Sequence, residues 1–457
     1  MGDFTGQVGG AFGMSQTKTI AFTSIAFNYL AKARVWAAAL RRIHPDWHLV
    51  VVMTDSVPAW LNVREEDFDE ILTIADLGLT EYPGWMFCHD IEELCTAVKP
   101  FAMLGLLQRP GVRNCCYIDP DIVVFDRLDE IIADLDAHAI VLTPHQSEPE
   151  TSYAGIVDNE IGSLRHGTFN LGFIAANDSQ QARAILQWWR ARVAQFCLAR
   201  IDLHLWTDQK WFNLVPVMFE GVAIQRSARF NVAPWNLSRR TITGGWRDGF
   251  FVNGERLGFY HFTGFDSGDH ETQAKRFAQN YSAVSNLVNW YREECKRRSV
   301  GIERRQWAFG YFNSGSRISR TDRLIYRYRV DLQQAYPNPF DDRAAPSFFD
   351  WLRGQGTIEY SELKDFAEDN NADLPNLPQV SWLRHFPPPI INSPLDVSVM
   401  HSARDNQRSG GNLAPASKNF RRLQAIRDPV LRKILMRRVI EVWRQGGLRG
   451  VLSKFFS

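Results

Sequence analysis

The sequence predicts an α/β fold, with a mostly parallel sheet carrying helices on both faces and a mainly helical extension at the C-terminal side. Three observations carry this reading. Short runs of Val, Ile and Leu alternate with segments of helical period through the first 270 or so residues, the signature of strand–helix–strand units. One such run, Asn114-Cys-Cys-Tyr-Ile118, leads directly into two carboxylates split by a proline, Asp119-Pro120-Asp121. Beyond residue 300 the apolar runs become isolated aromatic islands such as Tyr336–Phe340 and Phe348–Leu352.

The elements follow in order. Residues 18–24 read as a strand and 26–43 as a helix, with Leu30, Ala33, Val35, Trp36 and Leu40 near helical spacing. His48–Thr54 is a buried strand and Glu70–Ile74 a weaker one. Residues 90–108 read as one helix that stops at Pro110-Gly111. After the acidic pair come a helix near 127–136 and the strand Ala139–Thr143. Phe169–Ala175 is a strand and 180–197 a helix, periodic through Ile185, Trp188, Trp189, Val193 and Phe196. A shorter helix at 207–217, strands near 222–225 and 257–263, and a charged helix at 271–298 complete the block.

The segments are therefore a Gly-rich flexible start at 1–17, an α/β domain at 18–299 and a mainly helical accessory region at 300–385. A linker at 386–416 carries Pro387-Pro-Pro389, Gly410-Gly411 and Pro415. The tail at 417–457 has 11 Lys and Arg against Asp428 and Glu441, a local charge of +9 that leaves the remainder at −8. Val430, Leu431, Ile434, Leu435, Val439, Ile440 and Trp443 recur there at helical spacing among basic residues. Such a helix suits an anionic membrane surface, the acidic body of its own chain, or a second subunit in a homodimer.

Bulk properties narrow the class. A chain of 457 residues, 45% hydrophobic, supports two or three globular domains. A net charge of +1 argues against general nucleic-acid binding. The cysteines at 88, 95, 115, 116, 197 and 295 follow no zinc or disulfide spacing, so a reducing compartment is expected. No secretory signal opens the chain and no apolar run nears the roughly 20 residues of a spanning helix, so the expected location is cytoplasmic, with peripheral contact at the inner membrane through the tail.

Proline cannot donate to a sheet ladder, so Asp119-Pro120-Asp121 belongs at a strand end. Two acids at the carboxyl edge of a parallel sheet form a cation site, and Mg²⁺ or Mn²⁺ is commonly held by one or two carboxylates plus substrate phosphates. The same residue types also serve as helix starts and turns, so neighbouring motifs must decide.

Those neighbours are Thr96-Ala-Val-Lys-Pro-Phe101 upstream, then Thr168-Phe-Asn-Leu-Gly-Phe-Ile174, Thr207-Asp-Gln-Lys-Trp-Phe-Asn213, Asn231-Val-Ala-Pro-Trp-Asn-Leu237 and Phe259-Tyr-His-Phe-Thr-Gly264. In this order they resemble retaining GT-A glycosyltransferases related to glycogenin and the bacterial lipopolysaccharide glycosyltransferases, and more closely sugar transferases of bacterial polysaccharide clusters. The resemblance spans roughly residues 18–270. It implies a Rossmann-like GT-A domain that moves a sugar, with retention, from a UDP-sugar (a GDP-sugar less so) to a saccharide, lipid-linked or protein acceptor in bacterial surface glycan synthesis. It further implies Mn²⁺ or Mg²⁺ on Asp119, Asp121 and His261 against the donor diphosphate, and Lys99 at a phosphate or a sugar hydroxyl of the donor. Phe22, Thr23 and Asp55 would lie near base and ribose, and Asp208, Gln209 and Asn170 around the transferred sugar. One departure stands out: the family continues its His-Phe-x-Gly into Lys-Pro-Trp, whereas this chain reads Phe265-Asp-Ser-Gly-Asp-His270. Arg239, Arg240 or a tail residue would have to replace that phosphate contact.

Two rivals remain at this stage. Asp-x-Asp after an apolar strand also opens haloacid-dehalogenase-like phosphatases, but there on the first sheet strand. A catalytically idle GT-A module serving as a binding subunit would keep the fold without the chemistry.

Overall fold

The computed structural model describes residues 19–303 and 305–359. The expected N-terminal segment, the linker and the basic tail lie outside the described residues, as does the end of the accessory region.

The strands are β1 (Thr19–Ile25), β2 (His48–Met53), β3 (Glu70–Thr73), β4 (Asn114–Ile118), β5 (Ile122–Val124), β6 (Ile140–Pro144), β7 (Phe169–Asn177), β8 (Leu198–Arg200), β9 (Leu205–Thr207), β10 (Val222–Ile224), β11 (Ile242–Gly245), β12 (Gly249–Val252), β13 (Glu255–Arg256) and β14 (Phe259–His261). Among the described residues, seven form one sheet in the order β10-β6-β7-β4-β1-β2-β3. β1, β2, β3 and β4 run parallel, as do β6 and β10, while β7 runs antiparallel to both its neighbours. Because β7 reverses between β4 and β6, the carboxyl ends of β1, β4 and β6 and the amino end of β7 open on the same edge. That edge is where ligands sit in open α/β sheets.

Side-chain alternation builds the core on both faces. Ala21, Leu49, Val51, Cys116, Val141 and Phe173 point to one side, where they meet Leu30, Ala33, Trp36 and Leu40 of the Leu30–Ile43 helix and Ile131 and Leu135 of the Asp129–Ala137 helix. Ile20, Phe22, Val50, Cys115, Tyr117 and Ile174 point to the other, against Leu94, Ala97, Ala102, Met103, Ile185 and Trp189. A third cluster joins β12 and β14 to the Asp269–Phe277 and Tyr281–Arg298 helices.

Several elements depart from the sequence expectation for identifiable reasons. The single helix over 90–108 is two, Ile91–Ala97 and Lys99–Leu107, because Pro100 lacks an N–H and its ring opposes the preceding turn. The helix at 207–217 is a 3₁₀ stretch, Gln209–Leu214, continued by the one-turn helix Val215–Met218. The charged helix breaks before Asn280, whose side chain accepts from Ala283 N to start the second piece. β14 does not join the main sheet; it pairs antiparallel with β5, His261 opposite Ile122. The β8–β9 hairpin, the β11–β13 sheet and the helical stretch from Tyr153 to His166 lie in segments without a regular hydrophobic period.

The chain beyond residue 300 shares the main core: Phe312, Ile325, Tyr326, Phe340 and Phe348 pack with Phe87 and its neighbours. Arg323, buried, donates from Nη1 to the carbonyls of Phe87 (2.9 Å) and His89 (2.8 Å) and from Nη2 to that of Phe309. Replacing it with Ala leaves three carbonyls without this donor in a buried setting. Arg323→Ala is expected to cost about 3 kcal/mol or more, seen as a lowered urea midpoint with unchanged slope; a wild-type midpoint would show that the junction does not stabilise the fold.

Candidate active site

The acidic pair sits where β4 ends and β5 begins. Asp119 N donates to Gly172 O (2.7 Å) and Asp119 O accepts from Ile122 N (3.0 Å), a tight turn that brings both carboxylates to the sheet edge. Pro120 occupies the turn, where no ladder donor is needed. β14 delivers the third group: Phe262 N donates to Asp121 O (2.8 Å), and His261 Nε2 lies 3.1 Å from Asp121 Oδ1 and 3.8 Å from Asp119 Oδ2. One potential ligand atom from each of Asp119, Asp121 and His261 falls within 4.8 Å of the others.

The donor set fits a divalent cation. Two carboxylate oxygens and one imidazole nitrogen suit Mn²⁺ well and Mg²⁺ less. Close approach depends on Gly172, since a Cβ there would stand 2.7 Å from Asp119 Oδ2 and 2.8 Å from His261 Cε1. Burial pulls the His261 imidazole down, but Asp121 and Asp119 outweigh it and raise it above its ordinary value. A metal would draw on the same two carboxylates, and the His261 nitrogen that ligates it must be free of its proton.

Behind the pair lies a buried ammonium. Lys99, at the start of its helix, donates from Nζ to Leu171 O (3.1 Å) and stands 3.4 Å from Asp208 Oδ2, 3.8 Å from Asp119 Oδ1 and 4.3 Å above the Tyr117 ring. Burial lowers the lysine, but Asp208 and Asp119 reverse the effect and hold it above its usual value. Asp208 is 2% exposed, and burial pushes its carboxyl up to about 6 despite Lys99. Its side chain makes no capping bond to the 3₁₀ turn that follows, and Oδ2 has no hydrogen-bond partner, so the carboxylate is not spent on starting a helix. Thr207, just before it, has φ +43°, a left-handed backbone that β-branched residues avoid at a cost of order 1–3 kcal/mol. This strain sits next to the residue that faces Lys99.

Asn170, near the amino end of β7, reaches His145 Nε2 and Gln209 Oε1 only at 3.5 Å, and its buried Oδ1 has no partner. Gln209 is committed: Oε1 accepts from Leu171 N (3.1 Å) and Nε2 donates to His166 O (3.1 Å), bracing β7 against the 161–166 helix. All these groups line one cleft of about 1040 Å³.

The cleft gathers Lys99, Asp119, Asp121, Asn170, Asp208, Gln209 and His261. Phe22, Thr23 and Asp55 do not line it. Phe22 and Thr23 lie fully buried inside β1, Phe22 edge-on to Tyr117. Asp55 accepts from the backbone N–H of Phe27, Ser56 and Ala308, so its carboxylate fastens loops. Arg239 pairs with Glu148, and Arg240 is buried against Phe230 O and Ser147, so neither replaces the missing Lys-Pro-Trp. Trp235, inside the Asn231–Leu237 motif and expected as a wall of an acceptor cleft, does line it, while cleft-lining residues that the sequence did not single out are Gly172, His145, His166 and Trp206. Of these, Gly172 was visible as the glycine after Phe-Asn-Leu, while the others depend on loops without periodic signal.

No family model matches the chain. It is 25% identical over 250 residues to YfnD of Bacillus subtilis strain 168, an uncharacterised protein, covering 53% of this chain and 76% of that one. Among solved structures it is similar to the galactosyltransferase LgtC in complex with donor and acceptor sugar analogues (TM-score 0.39, 17% identity, 61% of this chain and 96% of that chain). Similarity extends to mouse xyloside xylosyltransferase 1 (TM-score 0.32, 16% identity, 53% and 96%) and to the glycosyltransferase GlyE of Streptococcus pneumoniae TIGR4 (TM-score 0.32, 11% identity, 48% and 48%). Among the described residues, no helix is long and apolar enough to cross a membrane.

Two outcomes follow from the geometry. A carboxyl whose folded value lies above its unfolded one binds more protons when folded, so Asp208 makes stability fall as pH rises from 3.8 to about 6. The span corresponds to about 3 kcal/mol. Asp208→Asn is expected to flatten the unfolding free energy across that window, measured by urea titration at several pH values; an unchanged slope would refute the assignment. Gly172→Ala is expected to abolish the rise in thermal midpoint produced by Mn²⁺, because its Cβ intrudes on two of the three ligands. A full Mn²⁺ shift in that variant would remove Asp119 and His261 from the ligand set.

Proposed function

We propose that the chain is a metal-dependent GT-A glycosyltransferase that moves a sugar from a nucleotide-sugar donor, a UDP-sugar before a GDP-sugar, to a saccharide, lipid-linked or protein acceptor with retention of configuration. The observation that carries this is the placement, in one cleft at the sheet edge, of Asp119, Asp121 and His261 beside a buried Lys99 that links them to the buried carboxylate of Asp208. A bacterial surface glycan is the product class that fits the sequence resemblance.

A divalent ion on Asp119, Asp121 and His261 would supply Lewis-acid stabilisation of the departing diphosphate. The remaining chemistry belongs to the side chains. In the transfer, the bond from the anomeric carbon to the diphosphate oxygen breaks and its electron pair leaves with the diphosphate. The acceptor hydroxyl forms the new bond on the same face, and its proton passes to a leaving phosphate oxygen. Asp208, ionised above about pH 6, faces the positive charge that builds on the anomeric carbon. Lys99 keeps that carboxylate charged and sets it on the metal side of the cleft. Asn170 offers an unpaired amide oxygen to a sugar hydroxyl. A double displacement would instead form and then break a glycosyl ester on Asp208.

With UDP-glucose or UDP-galactose and Mn²⁺, the protein is expected to release UDP, and Asp121→Ala to lower the rate by roughly 10²–10³-fold. Release of inorganic phosphate from simple monoesters, with no UDP formed, would replace this reading with a phosphatase. Absence of nucleotide binding in the presence of metal would leave a binding module without chemistry.

A further inference from the structure

The cleft lining comes from two unlike sets of elements besides the metal cluster and Asp208. One lies at the carboxyl ends of β1 and β4, where Ala26, Tyr29 and Thr96 form the wall. The other contributes two tryptophans from separate elements, Trp206 of β9 and Trp235 of the Pro234–Asn236 turn.

These indoles are not ordinary core residues. Both are only partly buried, while most of the large aromatics in the sheet cores are fully enclosed. Trp206 meets His166 at 4.7 Å with the planes 71° apart; Trp235 meets His145 at 5.0 Å and 71°, and His261 at 5.4 Å and 86°. Among the described residues no ring stacks parallel on either indole. Trp235 Nε1 is buried without a hydrogen-bond acceptor, and Asn170 Oδ1, which lies over Gly172 near Asp119 and His261, is buried without a donor. Unpaired polar atoms inside a cleft are costly unless a ligand meets them. Part-exposed indole faces in a cleft that also holds an unpaired N–H and an unpaired amide oxygen suit a pyranose, which presents an apolar C–H face and a rim of hydroxyls.

We propose that this tryptophan-lined part of the cleft is the acceptor subsite and that it takes a pyranose-bearing saccharide. The inference rests on the glycosyltransferase reading and narrows its acceptor from saccharide, lipid or protein to a sugar ring held between Trp206 and Trp235. Trp235 also touches His261, so the acceptor ring lies beside the metal cluster. The reactive hydroxyl then faces Asp208 and Asn170.

The test is saturation-transfer NMR on the full chain with UDP and Mg²⁺ present, using the methyl glycosides of glucose, galactose, N-acetylglucosamine and rhamnose as probes. At least one glycoside is expected to receive saturation on its ring C–H protons. That signal should fall about fivefold or more in Trp206→Leu and in Trp235→Leu and survive in Trp206→Phe. Saturation of UDP in each variant serves as the check on folding. If UDP is saturated in the wild type but none of the four glycosides is, the acceptor inference fails and the donor reading stands. Glycoside signals undiminished in both Leu variants would place the sugar elsewhere and overturn it equally. If UDP receives none in the wild type, the donor reading itself falls.

Discussion

The site depends on one buried charge. Lys99 lies between Asp208 and Asp119, with its ammonium 3.4 Å and 3.8 Å from their carboxylates and a backbone carbonyl completing its shell. Without it, three acids would converge on one sheet edge with His261 and the more distant Lys32 to offset them. Two carboxylates on either side of one ammonium repel each other through the low-dielectric interior, and burial adds a desolvation penalty to each. The lysine reaches this place because Pro100 splits the helix at Val98, so that Lys99 opens a new helix beside β4. A break that looks like a defect in helical period therefore sets the electrostatics of the cleft.

Around this charge, the sheet topology determines which residues can meet. β7 is antiparallel, so its amino end rather than its carboxyl end reaches the active edge, and Asn170 and Gly172 arrive beside Asp119. The absence of a side chain at Gly172 lets His261 approach from β14, which hangs on β5 outside the main sheet. The strained Thr207 aims Asp208 from the third direction. Four separate chain segments thus converge, and each is fixed by a backbone feature: a proline break, an antiparallel strand, a glycine and a left-handed residue.

Legibility in the sequence follows from what made each feature periodic or local. The strands of the main sheet and the Leu30–Ile43 and Gln180–Phe196 helices were readable because burial on two faces writes continuous apolar runs and buried stripes. Asp119, Asp121, His261, Lys99, Asp208 and Asn170 were readable as ordered short motifs, and the structure brings them to one cleft. Phe22, Thr23 and Asp55 were placed near a ligand by resemblance, yet their surroundings are protein. Strand alternation turns Phe22 into the core, and three backbone donors claim the Asp55 carboxylate. The 153–166 stretch had no sequence period to betray it, since a π-helical stretch at Ile156–Glu160 breaks the 3.6-residue repeat; Trp206 sits in the three-residue strand β9, too short to write a period.

The fate of Asp55 also explains why the chain past residue 300 belongs to the site's support. Ala308 N donates to Asp55 Oδ1 (2.9 Å), and Trp307 Nε1 donates to Thr54 O (2.9 Å), tying this segment to the carboxyl end of β2. Further along, Arg327 reaches Glu93 (3.4 Å) and the carbonyl of Cys88, gripping the helix whose end carries Thr96 and leads into Lys99. Arg323 seals the same junction from the next turn. The Lys99 ammonium can hold its position between two carboxylates only if its helix does not shift, and the groups that prevent the shift come from residues 305–359. The composition change at residue 300 therefore marks a change of local architecture within one cooperative core, and the cleft draws its rigidity from both sides of it.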